Sequence, residues 1–175
     1  MFGALGNIVG RGFGIQLPDP AITGDNPVDV LRSMLSNSAT FQAWTGTVSA
    51  VTALDYIHVV EVDADDIVRP LAIIDDSAGE AWASTRISTG HYTDGGSLFI
   101  LFEQSVDESD TEQEALADFD ETIRGCVYDM QGLAPSGTIA IHEVTYETPP
   151  MRATDDKQAA EGDYYRARLQ VVWGV

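Results

Sequence analysis

Lysine is almost missing: Lys157 is the one lysine among 175 residues, against 28 aspartates and glutamates. A chain with so few basic side chains cannot line a cationic surface along nucleic-acid phosphates, which argues against general or sequence-specific nucleic-acid binding. Cysteine occurs once, at Cys126, so there is neither an intrachain disulfide framework nor a cysteine-based zinc site. Histidine occurs three times, at His58, His91 and His142, and no two sit at helical metal-ligand spacing. No stretch approaches the roughly 18 consecutive apolar residues of a membrane span. The opening MFGALGNIVGRGFG lacks a basic n-region and interrupts its apolar run with Arg11 and glycines, so it does not read as a secretory signal. Gly10, Gly12 and Gly14 follow no strand and lead to no Gly-Lys-Ser/Thr, so they are not a phosphate loop. The acidic run from Asp107 places Glu112 and Asp118 where a calcium loop needs glycine and glutamate. There is no G-x-S-x-G elbow. These absences predict a protein that is not an enzyme, with no metal and no cofactor.

What is abundant is acid. The formal net charge is −19, enough to destabilise a compact state by self-repulsion at low ionic strength. In molar salt the Debye length shrinks to about 3 Å and the repulsion is largely screened. Hydrated carboxylates in place of flexible lysines resemble the proteins of salt-in halophiles, haloarchaea above all. On that view the acid is a solubility device, and DADD at 63–66 and Asp75-Asp76 are solvated turns. Hydrophobic residues make up 44% of the chain, enough for the core of a single soluble domain.

Residues 1–25 carry five glycines in their first fourteen positions and read as an extended arm, since glycine and proline oppose helix formation. Phe2, Leu5 and Phe13 make that arm too apolar for a free tail; they pack on the parent domain or on a neighbouring subunit. The single domain then spans 26–175. Its first helix starts at an Asn26 cap with Pro27 at the first helical position and Asp29 in the first turn. A short second turn follows, with Phe41 and Trp44 on one face and Gly46 at its end. The run Val48 to Val62 is rich in β-branched residues and predicts strand, split near Asp55. Leu71–Ile74 and Glu80–Ser88 predict two more strands. His91 falls in a loop, Asp94-Gly95-Gly96 forms a turn, and SLFILFE makes the most apolar, central strand.

A long helix begins at a Thr111/Glu114 capping box. Leu116, Phe119, Ile123, Val127 and Met130 recur at helical steps, while Asp118, Asp120 and Glu121 face water. Cys126 on this helix reads as a packed thiol, and Gly125 permits close packing on the sheet. Gly132 and Pro135 end the helix. Two strands close the chain, Thr138–Thr148 and Tyr164–Trp173, joined by a long polar loop at 149–163. The fold class is therefore α+β: two main helices on one face of a mostly antiparallel sheet, with an extended N-terminal arm. On the last strand Arg166 and Arg168 share a face. They pair with acids of a neighbouring subunit, or bridge Glu143 or Glu147 locally at little gain if exposed. With Arg152 in the loop and Phe2, Leu5 and Phe13 in the arm, they are the candidate subunit-interface residues.

Three segments carry a resemblance: DVLRSMLSNSATFQAWTG, the pair GGSLFILFE and DTEQEALADFDETIRGCVYDMQGL, and EGDYYRARLQVVWGV. In order and polarity they look like the tail terminator (tail completion) family of long-tailed double-stranded DNA viruses, over roughly Asn26 to Val175. The acidic composition fits a tailed virus of haloarchaea. The resemblance implies a structural virion protein, assembled in the host cytoplasm into a hexameric ring that caps the tail tube. Its partners would be other copies of itself, the tail tube protein and a head-completion protein of the neck. The apolar arm and the 149–163 loop depart from the family's usual pattern. Two other readings stand beside it: a head-completion or adaptor protein between portal and tail, and a cellular α+β domain that binds a small molecule or peptide.

Overall fold

The computed structural model of the chain describes residues 26–59, 68–75, 83–88, 91–106, 111–133, 139–154 and 163–174, with the backbone alone for 83–94. Helix α1 (Pro27–Asn37) starts as its sequence predicts, with Asn26 Oδ1 accepting the Asp29 amide at 2.9 Å. Ser38 ends α1 and caps the short α2 (Ala39–Trp44), its hydroxyl accepting the Phe41 amide at 3.1 Å. Gly46 then turns the chain at φ 69°, a region that costs glycine nothing.

The next run departs from expectation. Instead of a strand from Val48, Ala50–Ala53 form helix α3, Leu54–Tyr56 a 3-10 turn, and Ile57–Val59 alone the strand β1. Ser49 caps α3 by accepting the Thr52 amide at 3.3 Å, and Ala53 is fully buried. A cap and a small buried residue outweigh the β preference of Val48, Val51 and Thr52.

The remaining elements are β2 (Leu71–Asp75), β3 (Ala83–Ser88), β4 (His91–Ser105), α4 (Glu112–Gly132), β5 (Ala140–Thr154) and β6 (Asp163–Gly174). They build a six-stranded sheet in the order β1-β2-β4-β6-β5, with β3 pairing the start of β4. β1 runs parallel to β2, and every other pair is antiparallel. The α+β class and the central place of the SLFILFE strand are as predicted. His91, expected in a loop, begins β4, and Asp94-Gly95-Gly96 lies inside that strand instead of forming a turn. Gly95 pairs with Gly174, and a Cβ there would lie 2.7 Å from the Trp173 carbonyl.

The core lies between one face of this sheet and α1, α2 and α4. Leu98, Ile100 and Phe102 of β4 and Tyr165, Ala167, Leu169, Val171 and Trp173 of β6 point into it. Phe41, Phe102 and Phe119 all pack against Trp44, and Phe119 against Tyr165, with ring centroids 5.7 to 6.4 Å apart. Trp44 Nε1 donates to Gln104 Oε1 at 2.7 Å, which satisfies the one polar atom of that ring.

Helix α4 buries Ala115, Phe119, Ile123, Cys126 and Met130, while Leu116 and Val127 are only half-buried. Gly132 is its last helical residue and Leu133 its cap, so the glycine does not stop it from outside. Gly125 packs on α2, not on the sheet: a Cβ there would meet Thr40 Cγ2 at 2.8 Å. One turn further on, Asp129 accepts the Ser38 hydroxyl and the Thr40 amide, both at 2.8 Å, and so fastens α4 to the α1–α2 junction. Asp120, expected to face water, accepts the Tyr146 hydroxyl at 2.8 Å and Arg124 Nε at 2.6 Å.

β5 holds two corrections. A bulge between Ile141 and Glu143 shifts its register by one residue, so Ile141, Val144 and Tyr146 all face the helices. An uninterrupted alternation would have put Ile141 on the opposite side. The strand also continues through Pro149 and Pro150 to Thr154, into the stretch expected as loop. Proline lacks an N–H, and an edge strand leaves one side of its backbone unpaired, so the edge tolerates it. Among the described residues, no helix is long and apolar enough to cross a membrane.

Candidate interaction surfaces

The histidines do not come together. His58 lies on β1 and His142 on β5, at opposite edges of the sheet. Among the described residues no group of three or more histidines, cysteines and carboxylates is placed to hold a metal ion. Burial pushes the Cys126 thiol up to about 12, and the neighbouring Ser38 hydroxyl offsets only part of this. At neutral pH it stays protonated, a packed thiol as expected and no nucleophile.

The side of the sheet away from the helices is where the arginines gather. Strand alternation puts Leu71, Ile73 and Asp75 of β2, Phe99, Leu101 and Glu103 of β4, and Tyr164, Arg166 and Arg168 of β6 on this face. Glu103 is at its centre, with a side chain only 3% exposed. Arg69 Nε and Nη2 reach its Oε2 at 3.1 and 3.0 Å. Arg166 Nε and Nη2 reach its Oε1 at 3.1 and 2.6 Å. Two cations thus grip one buried carboxylate through both oxygens, the hydrogen-bonded form a buried charge requires. The Tyr164 ring lies beneath both guanidinium groups, 4.2 Å from that of Arg69 and 5.1 Å from that of Arg166. Arg168 lies 4.1 Å over the Phe99 ring, 3.0 Å from Glu147 and 3.5 Å from Asp75.

Within the chain each of these arginines has a local partner. Arg168 bridges Glu147 locally, and Arg166 is held by Glu103. Arg152 stands on β5, not in a loop, and pairs with Asp163 on β6 and, at 3.5 Å, with Glu112 on α4. All three are engaged within the chain. Phe2, Leu5 and Phe13 lie outside the described residues, as do DADD at 63–66 and Asp76.

Sequence reasoning passed over Arg32 on α1. Arg69, Arg124, Arg152, Arg166 and Arg168 each hold a carboxylate. Among the described residues Arg32 has none, and its buried Nε has no hydrogen-bond partner. It stands near His58, whose pKa is lowered first by burial and then by the Arg32 charge. Four exposed large apolar residues are valines: Val48 before α3, Val51 on it, Val59 at the end of β1 and Val68 ahead of β2. The others, Tyr128 and Met151, lie on α4 and β5. An open cavity of about 390 Å³ separates the end of α4 from the start of β5, lined by Met34, Met130, Leu133, Ile141 and Val144, with Glu143 at its rim.

No protein-family model matches the chain, and a search of curated proteins finds none similar to it.

Proposed function

We propose that the chain is a tail terminator: a structural virion protein whose copies form a ring on the tail tube, stop its polymerisation and join tail to head. What carries the proposal is the pair of unlike sheet edges. β1 is short and flanked by exposed valines; β5 is 15 residues long and bears Met151. Two different patches on one subunit make head-to-tail contacts, and such contacts close into a ring when the rotation between subunits allows. The order of elements, α1 and α2, then strands, then α4 and the β5–β6 pair, supports it as well. In this role the protein works without an active site, as a hexamer between the tail tube protein and a head-completion protein. Acidic subunits packed around a channel repel one another, so the ring loosens as salt is withdrawn.

Electron microscopy of particles made without this reading frame is the test. Overlong tails of variable length, detached from filled heads, are expected. Tails of normal length beside full, tailless heads would assign the chain to the neck as an adaptor. The cavity between α4 and β5 favours a second reading, a cellular domain that binds a small molecule or peptide. Intact infectious particles, with a monomeric protein that takes up apolar ligands beside Met34 and Met130, would put that reading first.

A further inference from the structure

Part of the N-terminal arm alternates strictly. Gly10, Gly12 and Gly14 separate Val9, Arg11, Phe13 and Ile15, and an extended backbone puts these four side chains on one side and bare glycine on the other. Such a strip has one side to bury and a backbone open to close approach. The groove between α4 and β5 offers an apolar place for it. Met34 and Met130 are the buried part of its lining. Leu133, Ile141 and Val144 beside them are only half-buried, although Ile141 and Val144 face the helices. Consecutive residues from Ala140 to Val144 line it, so the backbone of β5 is part of its wall. β5 is the last strand in the sheet order, and among the described residues it pairs with β6 alone. Pro149 and Pro150 close its later half to a further strand, because neither has an N–H to offer. The half that begins at Ala140 keeps its donors.

We propose that residues 9–15 add as a strand along Ala140–Tyr146 of their own chain, with Val9, Phe13 and Ile15 turned into the groove. The two stretches are equal in length. Main-chain hydrogen bonds to the edge hold such a strand, and alternate side chains in a pocket select it. The stretch that adjoins the groove, APSGT at 134–138, has no large apolar side chain to fill it. Arg11, between Val9 and Phe13, is long enough to lift its charge clear of the apolar lining. Reach favours the chain's own arm. Residues 16–25 span up to about 33 Å when extended, while Met34 lies only about 12 Å along α1 from Asn26. A tether that short keeps the arm at a roughly millimolar effective concentration, well above that of a second copy in dilute solution. The ring does not depend on this contact, which leaves the Met151 end of β5 to other copies. A small ligand in the groove would have to displace the arm.

Hydrogen exchange of the full chain in molar salt, with F13D beside it, is the first test. In the wild type the amides of residues 9–15 are expected to exchange at least about tenfold slower than in F13D, and those of Ala140–Val144 likewise, with α4 and β4 alike in both. A photoreactive benzophenone in place of Phe13 is the second. It is expected to couple to Met34 or Met130, and within one chain when heavy-isotope and ordinary protein are mixed. Wild-type arm amides as fast as those of F13D, or coupling only to other elements, overturn the strand and its groove. Coupling between heavy and ordinary chains overturns the choice of the chain's own arm and assigns the groove to that of a second copy. Anilinonaphthalene sulfonate that binds the wild type as well as F13D would show the groove open and overturn its filling. None of these results touches the tail-length test of the terminator reading, so the two fail separately.

Discussion

The two faces of the sheet bury their residues by different means. One is covered by helices, and its contacts are apolar and aromatic, from Phe41 through Trp44 to Phe119 and Tyr165. On the other, arginines cover rings of their own sheet: Arg69 and Arg166 over Tyr164, Arg168 over Phe99. Tyr164 and Phe99 are buried all the same. An arginine carries a long apolar stem and a flat charged end, so it covers a ring and still holds a carboxylate. In an acid-rich chain with few cations, these arginines therefore act as cover as well as charge.

Breaking each face in turn sharpens the contrast. E103A removes the buried carboxylate that Arg69 and Arg166 share, and is expected to cost about 3–5 kcal/mol. F119A on the helix side is expected to cost about as much, by leaving a cavity. Urea titrations at fixed molar salt compare the two. A loss below about 1 kcal/mol for E103A would mean that the arginine stems alone hold their face.

D129N comes next, at about 1.5–3 kcal/mol, because Ser38 and Thr40 lose a charged acceptor. Burial alone would raise the Asp129 carboxyl, but the Thr40 and Ser38 donors outweigh it and hold it below the usual range. Asp120 is lowered in the same way by Arg124 and Tyr146. A lowered carboxylate stabilises the fold fully above its ordinary value of 3.8. That contribution is lost as pH falls from there through the lowered folded value. D129N should therefore flatten the acid limb of stability measured from pH 6 to 2.

G125A follows, with a net loss of about 1 kcal/mol. The new methyl group meets Thr40, and overpacking at about 1–3 kcal/mol exceeds the helix-propensity gain of about 1. T40A in the same chain should reverse most of the loss, as a double-mutant cycle would show. The smallest effect is expected of R152A, whose side chain is 42% exposed. It should cost under about 1 kcal/mol in dilute buffer and nearly nothing in molar salt.

Local signals were the legible ones. The Asn26 and Thr111 caps mark helix starts within a few residues of chain, and the alternation along β6 sorts its two faces without help from elsewhere. Legibility failed where a distant residue decided the outcome. Nothing near Ser49 announces that Ala53 is buried in the core, so the run before β1 read as strand. The β5 bulge becomes visible only against its partner β6, and Pro149-Pro150 read as loop because its edge position was unknown. At the candidate surfaces, the common face of Arg166 and Arg168 was legible. Their partners were not: Glu103 is 63 positions from Arg166. Arg32 carried no signal at all, since what sets it apart is a missing acid.

The grip on Glu103 also bears on how the sheet comes apart. Its two arginines arrive from the segment ahead of β2 and from β6, and Glu103 itself is on β4 between them. If any one of the three departs, a charge is left in a place closed to water, so partial unzipping gains little over complete opening. Amide hydrogens of β2, β4 and β6 should then exchange as one cooperative unit, slower than those of the β1 and β5 margins. The carboxylate in the middle of the sheet would act as a latch, making the opening of three strands a single event.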